Sequence, residues 1–427
     1  MNYNSSVAGI VIAALGFLIF PEKGQQKVYV YVISGIVITL NCYLESRVGL
    51  LSFGVAFCVY TLTDRTAASL KTSRFTLILF IFFIVSAITF TDKYSSTQGR
   101  VFIWENCWRA LARAPVTGVG MDKFRRVYNR EQYDWFVRNG LENKHSLQAG
   151  NNYYAFNEWL QLAIEVGLPL AGAAFLIIFI VSVLCLRISG KLNDKEGARQ
   201  KICAFISILT GSFFSYPFYY FPTLLLFICL FFWMMYAVLE DYRFARKVSY
   251  VVAAVLLIYA VKLIYANMSA YIVWGRAENE NYEGHTMKSL EEFRRAEKKL
   301  YNNSDFLISY ATVLIESMQV DSAVMKLQKV VTLSGDYRAS ELLGDIFLMK
   351  RQYEVSKSCL EKAVYLIPGK FETTYKLLSY YVAVHDTTEV IFWAERIVSM
   401  NEKIPSQHVK MYKQNALSIL NEIVHRH

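Results

Sequence analysis

The chain has 427 residues, of which 54% are hydrophobic and only 19% are charged. Its mean hydropathy of +0.27 is too high for an ordinary soluble domain, so the composition excludes a simple soluble enzyme and predicts a membrane protein. The formal net charge of +10 at pH 7 favours anionic ligands. Nucleic acid is not among the partners that we expect.

Apolar segments fill the chain up to residue 268 and are predicted to form a bundle of about eight transmembrane helices. A helix needs about 20 apolar residues to cross a bilayer, and several of the segments approach that length. In chain order the predicted spans are 7–20, 28–44, 48–62, 75–91, 160–186, 202–220, 222–240 and 249–268.

The basic residues between these spans predict the topology. Alternate links hold thirteen Lys or Arg residues, whereas the opposite short links hold only Arg47. Because basic short links stay in the cytoplasm, the opposite side faces outward. We therefore expect residues 93–155 and the segment after residue 268 to lie outside the cytoplasm.

The segment 93–155 is a long polar loop between two spans. It carries ten Lys or Arg residues and five Asp or Glu residues. Loops of this length are uncommon unless they are functional, and the positive charge favours an anion such as phosphate. The loop is therefore the candidate site.

Residues 270–403 show four units of about 34 residues, which begin at Ala270, Ser304, Tyr337 and Phe371. The third unit is the clearest, because Leu343-Gly344 is followed at the expected offsets by large and small packing residues and by Pro368. This pattern resembles the tetratricopeptide repeat (TPR), with a capping helix over 404–427. Such arrays bind peptide segments on their concave face. The alternative is a spacer that only stabilises the protein.

The loop and its flanking spans resemble the O-antigen ligase and polymerase superfamily over roughly residues 28–240. The matching motifs, in chain order, are Ser46-Arg47, Gly99-Arg100 with Trp104, Pro115-Val116-Thr117-Gly118-Val119-Gly120 with Phe124, Phe156-Asn157-Glu158-Trp159-Leu160, and Glu165-Val166-Gly167. One departure is that Phe156 stands where the family usually has a histidine. The N-terminal bundle is also shorter than is usual in the family.

The resemblance implies a bacterial inner-membrane, multi-pass glycosyltransferase. It would transfer a polyprenyl-diphosphate-linked glycan to a lipid core, a protein hydroxyl or a growing polysaccharide on the outer face, without a metal or another cofactor. The implied organisation has N-terminal helices over 1–92, the site loop over 93–155, C-terminal transmembrane helices over 156–268 and a TPR-like domain over 269–427. A non-catalytic membrane scaffold that presents the repeats to protein partners is the alternative.

Candidate site residues follow from the chemistry of this transfer. Arginine neutralises a departing diphosphate well, which makes Arg47 and Arg100 the predicted clamp. The alternative for each residue is an interfacial anchor. A base would take the proton of the acceptor hydroxyl, and His145, Glu158 and Glu165 are the candidates. The predicted substrate-binding residues are Trp104, Arg125, Arg126, Arg130, Tyr154 and Asn157.

Overall fold

The computed structural model describes residues 4–20, 27–63, 94–192, 194–239, 242–403 and 405–424. Within these ranges the regular secondary structure is helical throughout, which confirms the predicted all-helical class. The predicted span at 75–91 lies outside the described residues. The chain divides into two compact units. The first unit comprises Met1–Tyr94, Ala114–Gly118 and Tyr154–Tyr259, and the second comprises Ser95–Arg113, Val119–Tyr153 and Ala260–His427.

The first unit is built around three helices that pack closely together. Ser5–Leu18, Arg47–Leu62 and Lys195–Ser212 share one hydrophobic core. Glycine permits the approach of the first two, because a Cβ added to Gly49 would lie 2.7 Å from the backbone of Gly9. The remaining helices described in this unit are Lys27–Tyr43, Glu158–Val166, Leu168–Ile188, Phe221–Val238 and the first part of Arg243–Tyr282.

Two of the described helices are long and apolar enough to cross a membrane, namely Leu168–Ile188 and Phe221–Val238. Only 22% of the apolar stretch of the first helix and 28% of that of the second are buried, so most of each surface is available to lipid. Ser5–Leu18, Val28–Tyr43 and Arg47–Leu62 are shorter apolar helices. The count of eight spans therefore remains a prediction.

The prediction of one continuous span over 160–186 is wrong. The structure has two helices there, Glu158–Val166 and Leu168–Ile188, separated at Gly167. Gly167 has a φ of +89°, which favours glycine, and an added Cβ would collide with the carbonyl oxygen of Val116. The Leu168 N–H donates to the Pro115 carbonyl at 2.8 Å, so a distant turn fixes the break.

The second unit combines the loop with the helical repeats. The loop contributes the helices Tyr94–Arg113 and Phe124–Asn139. The repeats continue as Thr286–Leu300, Ser304–Glu316, Val320–Leu333, Tyr337–Met349, Tyr353–Leu366, Phe371–Ala383, Thr387–Ser399 and the capping helix Gln407–Val424. The loop and the repeats, which the sequence treats as separate segments, thus share one compact unit.

Three of the four predicted repeat starts are confirmed, because helices begin at Ser304, Tyr337 and Phe371. Ala270 begins no helix, since it lies inside the 40-residue helix Arg243–Tyr282. The Leu-Gly position of the third repeat packs as the motif predicts. A Cβ added to Gly344 would lie 2.5 Å from Leu360, so only glycine admits this leucine.

Candidate functional site

The candidate site residues divide between the two units. Five of them, Arg47, Tyr154, Asn157, Glu158 and Glu165, belong to the first unit. The second unit contains Arg100, Trp104, Arg125, Arg126, Arg130 and His145. Each group is described below within its own unit.

The short helix Glu158–Val166 begins at a tightly defined turn. The Asn157 side chain caps it by accepting a hydrogen bond from the Leu160 N–H at 3.0 Å. Phe156 precedes the cap with a φ of +53°, a conformation that a bulky aromatic residue rarely adopts. Asn157, predicted to bind substrate, therefore also has a structural role, which is to present Glu158 at the first helical position.

Glu158 lies in a cluster of polar side chains on one face of this helix. Glu158, Gln161 and Glu165 follow the i, i+3, i+7 spacing of a single helix face. The Glu158 carboxylate accepts a hydrogen bond from the Phe218 N–H at 2.8 Å. Gln161 accepts from the Ala155 N–H at 3.1 Å and donates to the Tyr219 hydroxyl. We call Glu158, Gln161, Glu165 and Tyr219 the carboxylate cluster.

Electrostatics make Glu158 unusual for a glutamate. Burial raises its pKa to about 7, the Phe218 N–H opposes that rise, and the charge of nearby Glu165 adds to it. A carboxyl group with a pKa near neutrality can accept and release a proton at physiological pH, which is the requirement for a general base.

Aromatic rings surround the start of the same helix. The Tyr154 ring lies 4.1 Å from the Tyr216 ring and 4.2 Å from the Tyr219 ring, measured between centroids. Phe156 meets Tyr216 edge to face at 5.3 Å. Tyr219 is 50% exposed, so this aromatic wall offers apolar surface and a hydroxyl at its rim. The position of Tyr154 is consistent with a wall for a sugar ring.

Arg47 is the first residue of the helix Arg47–Leu62 and is half-buried. Ser46 caps that helix by accepting from the Gly49 N–H at 3.1 Å. A helix N-terminus carries partial positive charge, which adds to the charge of the guanidinium. This placement suits the predicted interaction with an anion.

In the second unit, Arg125 is committed to an ion-pair network. It pairs with Asp336 and approaches Asp305 at 3.6 Å, and its guanidinium lies 3.9 Å from the Tyr153 ring centroid. Arg338 pairs with the same two carboxylates. We call Arg125, Tyr153, Asp305, Asp336 and Arg338 the latch network, because it ties the loop to the second and third repeats.

Asp336 is the buried centre of the latch network, with an exposed fraction of 0%. Burial opposes its ionisation, yet the hydrogen bonds and charges of Arg338 and Arg125 outweigh that effect and hold its pKa below the usual range. The structure therefore gives Arg125, predicted to bind substrate, a structural role.

Arg126 and Arg130 lie on a different face of the helix Phe124–Asn139 and are exposed. With Lys362, Asn129 and Tyr133 they line a cavity of about 320 Å³. The Arg130 Nε lies 4.0 Å from an Asp134 carboxylate oxygen, so this ion pair is weak. This basic groove is consistent with the predicted binding of sugar or phosphate.

His145 is held in an aromatic cage. Its ring stacks on Phe102 at 4.7 Å and meets Trp135 edge to face at 5.3 Å. Its Nδ1 lies 2.7 Å from the Gln148 side-chain oxygen, and Gln148 donates to Gln98 at 2.8 Å. These contacts give the candidate base a packing role.

Arg100 and Trp104 are half-buried, one turn apart on the helix Tyr94–Arg113.

Sequence reasoning did not place Gln161, Tyr219 or the Phe218 N–H beside Glu158. The polar i, i+3, i+7 face within an otherwise apolar helix was the available signal for Gln161.

For metals, one group in the described ranges, Glu280, Glu283 and His285, brings ligand atoms within 4.8 Å of one another. His285 there pairs with Glu280 at 3.0 Å on the surface, and this group does not include the residues of the carboxylate cluster.

The fold and this site define an all-helical protein with apolar helices suited to a membrane and a carboxylate cluster beside an aromatic wall. Residues 29–177 match the family model described as O-Antigen ligase. This match confirms the resemblance for about a third of the chain, including Arg47, Arg100 and Glu158. It supports a glycan ligase or polymerase kind of function and a glycosyltransferase type of enzyme.

The chain is also similar to solved structures over about a third of its length. A structure titled "Crystal structure of MamA protein" is 17% identical, covers 36% of this chain and 88% of that chain, and has a TM-score of 0.30. Another, titled "Crystal structure of MamA", is 16% identical, covers 35% and 96%, and has a TM-score of 0.29. No curated protein matches the chain.

Proposed function

We propose that this protein is a multi-pass glycosyltransferase of the bacterial inner membrane. It transfers a glycan from a polyprenyl diphosphate to an acceptor hydroxyl on the outer face of that membrane. The family match over residues 29–177 supports the reaction class. The observation that carries the mechanism is the placement of Glu158 inside the matched region, at the capped start of a helix with its carboxylate held by the Phe218 N–H.

The reaction needs one proton acceptor and one stabilised leaving group. The acceptor oxygen attacks the anomeric carbon and forms the new C–O bond while Glu158 takes the hydroxyl proton. The bond between the anomeric carbon and the diphosphate oxygen breaks, and its electron pair leaves with the diphosphate. Arg47 and Arg100 are the proposed clamp for this developing charge, since a guanidinium matches phosphate oxygens with paired donors.

The topology is part of the proposal. The bias of thirteen basic residues to one in alternate links supports an orientation with residues 93–155 and the segment after residue 268 outside the cytoplasm. Metal-independence belongs to the same proposal, because arginine supplies the charge that a metal would otherwise supply.

The acceptor class follows from the repeats. Helical repeat arrays present extended surfaces to peptides and proteins. The shared unit of loop and repeats therefore favours a large acceptor or a partner protein over simple chain extension.

The test is Glu158→Gln in the full chain reconstituted with a polyprenyl-diphosphate-linked glycan. Glutamine keeps the hydrogen bond from the Phe218 N–H but cannot take a proton, so transfer should fall by at least about 100-fold. Glu196→Gln is the matched control, because Glu196 also lies in the first turn of a helix of the first unit. Its transfer should stay within a factor of about 2, as for a surface change. Unchanged transfer in Glu158→Gln would remove Glu158 from the mechanism.

A further inference from the structure

A second cavity lies within the second unit, where the loop meets the last repeats. Its volume is about 410 Å³. Segment 141–147 forms one wall, and the ends of the helices Tyr353–Leu366 and Thr387–Ser399 lead to the other. The wall is tightly held, because a Cβ added to Gly369 would lie 2.6 Å from the Ser146 carbonyl oxygen. None of the proposed site residues lines this cavity.

Arg396 lines the cavity and carries a poorly compensated charge. Its side chain is only 5% exposed, and its buried Nε has no hydrogen-bond partner. Nη2 donates to the Leu141 carbonyl at 3.3 Å, and Nη1 lies 3.7 Å from a Glu142 oxygen. Glu142 is 82% exposed, so water screens that pair. Burial lowers the pKa of Arg396, as expected for a charge removed from water.

The contrast with Arg125 shows what Arg396 lacks. Arg125 is also largely buried, at 12% exposure, and its Nε likewise has no hydrogen-bond partner, but its terminal nitrogens reach the carboxylates of both Asp305 and Asp336. A buried guanidinium without such partners is destabilising, because desolvation is not offset. An anion that binds in the cavity would supply the missing acceptor.

The charges that line the cavity indicate that it accommodates one carboxylate group of a ligand. Arg396 and Lys144 contribute two positive charges and Glu142 one negative charge, so the lining sums to +1. A carboxylate carries one negative charge and accepts two parallel hydrogen bonds from a guanidinium.

The remaining lining residues suit a sugar. Asn143 and Asn401 contribute amide groups that both donate and accept, and Leu147 and Met400 add apolar surface. The Ser146 and Ser399 hydroxyl groups already donate to the carbonyl groups of Leu141 and Arg396. Ring hydroxyls also both donate and accept, whereas the C–H faces of a sugar ring are apolar. The volume lies within the range of pockets that hold small ligands.

We propose that this cavity binds the carboxylate of an acidic sugar residue, a uronic acid, with Arg396 as the anion-binding group. Recognition of an anion stands on the cavity itself. The choice of a glycan over an acidic peptide rests on the proposed function.

The test measures binding of digalacturonate to the detergent-solubilised full chain by isothermal titration calorimetry. Wild-type protein should bind digalacturonate and discriminate against its neutral methyl ester by at least about 10-fold, the range for a charged hydrogen bond. Arg396→Gln should weaken binding by a similar factor. Arg295→Gln is the matched control, since Arg295 is an exposed repeat arginine that pairs with Glu292, and its binding should be unchanged.

Asn401→Asp keeps Arg396 and tests the charge of the cavity independently. Asn401 is exposed, so the nearly isosteric change should leave the circular dichroism spectrum unchanged and still weaken digalacturonate binding. Equal binding of the acid and its ester, or normal binding in Arg396→Gln, would overturn the anion site. Equal binding of acetate or of an acidic peptide would overturn the sugar assignment.

The readout also separates this inference from the proposed function. Glu158→Gln should bind digalacturonate normally, because Glu158 belongs to the other unit. A wild-type protein that transfers glycan but does not bind digalacturonate would overturn this inference alone. Full transfer by Glu158→Gln, together with normal digalacturonate binding, would contradict the mechanism alone.

Discussion

Glu158 in the first unit and Asp336 in the second are both shielded carboxylates, yet their surroundings drive them in opposite directions. Burial raises the pKa of Glu158 to about 7, since the charge of a second carboxylate adds to that effect and only one backbone N–H opposes it. Asp336 meets two arginines, and its pKa falls below the usual range. The partners therefore decide whether a buried acid can exchange a proton or serves as a permanent structural charge.

The largest expected effect comes from removing the charge of Asp336. Asp336→Asn removes the charge that Arg125 and Arg338 share, which leaves two guanidinium groups without their central partner. Loss of one partner of a buried ion pair costs about 3–5 kcal/mol. Denaturant unfolding of the full chain should show this loss, together with faster amide hydrogen exchange in residues 124–153.

Asp321→Asn is the control for that prediction, because Asp321 also pairs with a cation but is 92% exposed. Its unfolding midpoint should not move. The sign with pH follows from the lowered pKa of Asp336. Its stabilising contribution is present above the ordinary aspartate pKa of about 3.9 and is lost as pH falls through the lower folded value. Equal midpoints for the two variants at neutral pH would contradict the latch.

The next largest effect concerns Arg100 of the proposed arginine clamp. Arg100→Lys keeps the positive charge but loses the paired donors, so transfer should fall by about 10-fold. Arg109→Lys is the matched control on the same helix, because Arg109 already pairs with Glu105 at 3.9 Å. Equal rates for both variants in the reconstituted assay would remove Arg100 from the clamp.

The smallest effect concerns the candidate base in the second unit. His145→Ala removes a ring that packs between Phe102 and Trp135. Because we assign the role of base to Glu158 and a packing role to His145, the rate of transfer should fall by no more than a few-fold. A general base is worth at least about 100-fold. A loss above that level, with unchanged circular dichroism, would show that His145 takes the proton and Glu158 does not.

Local patterns in the sequence predicted much of the fold. Helix starts at Ser304, Tyr337 and Phe371 follow from the repeat, since each repeat is defined by neighbours within one helix pair. The break at Gly167 escaped prediction because the apolar run continues on both sides of the local stop signal of Gly167 and Pro169. The carbonyl groups of Pro115 and Val116, about fifty residues away, set that break.

The site was predictable in its residue types but not in its pairings. Glu158 was predicted as a base and Arg125 as a substrate-binding residue, but the sequence did not reveal the partners of either. The partner of Arg125 is 211 residues away, and the N–H that reaches Glu158 is 60 residues away. Local motifs do not encode such long-range contacts, and the contact with Asp336 is what gives Arg125 a structural role.

The central claim is that Glu158 takes the acceptor proton, and the pH dependence of transfer tests it most directly. Only the ionised carboxylate can accept a proton, so the wild-type rate at saturating substrate should rise as pH passes about 7 and then level off. In Glu158→Gln the residual rate should not change across the same interval, whereas Glu196→Gln should reproduce the wild-type curve. A wild-type curve that is flat through neutral pH, or an unchanged inflection in Glu158→Gln, would contradict the account.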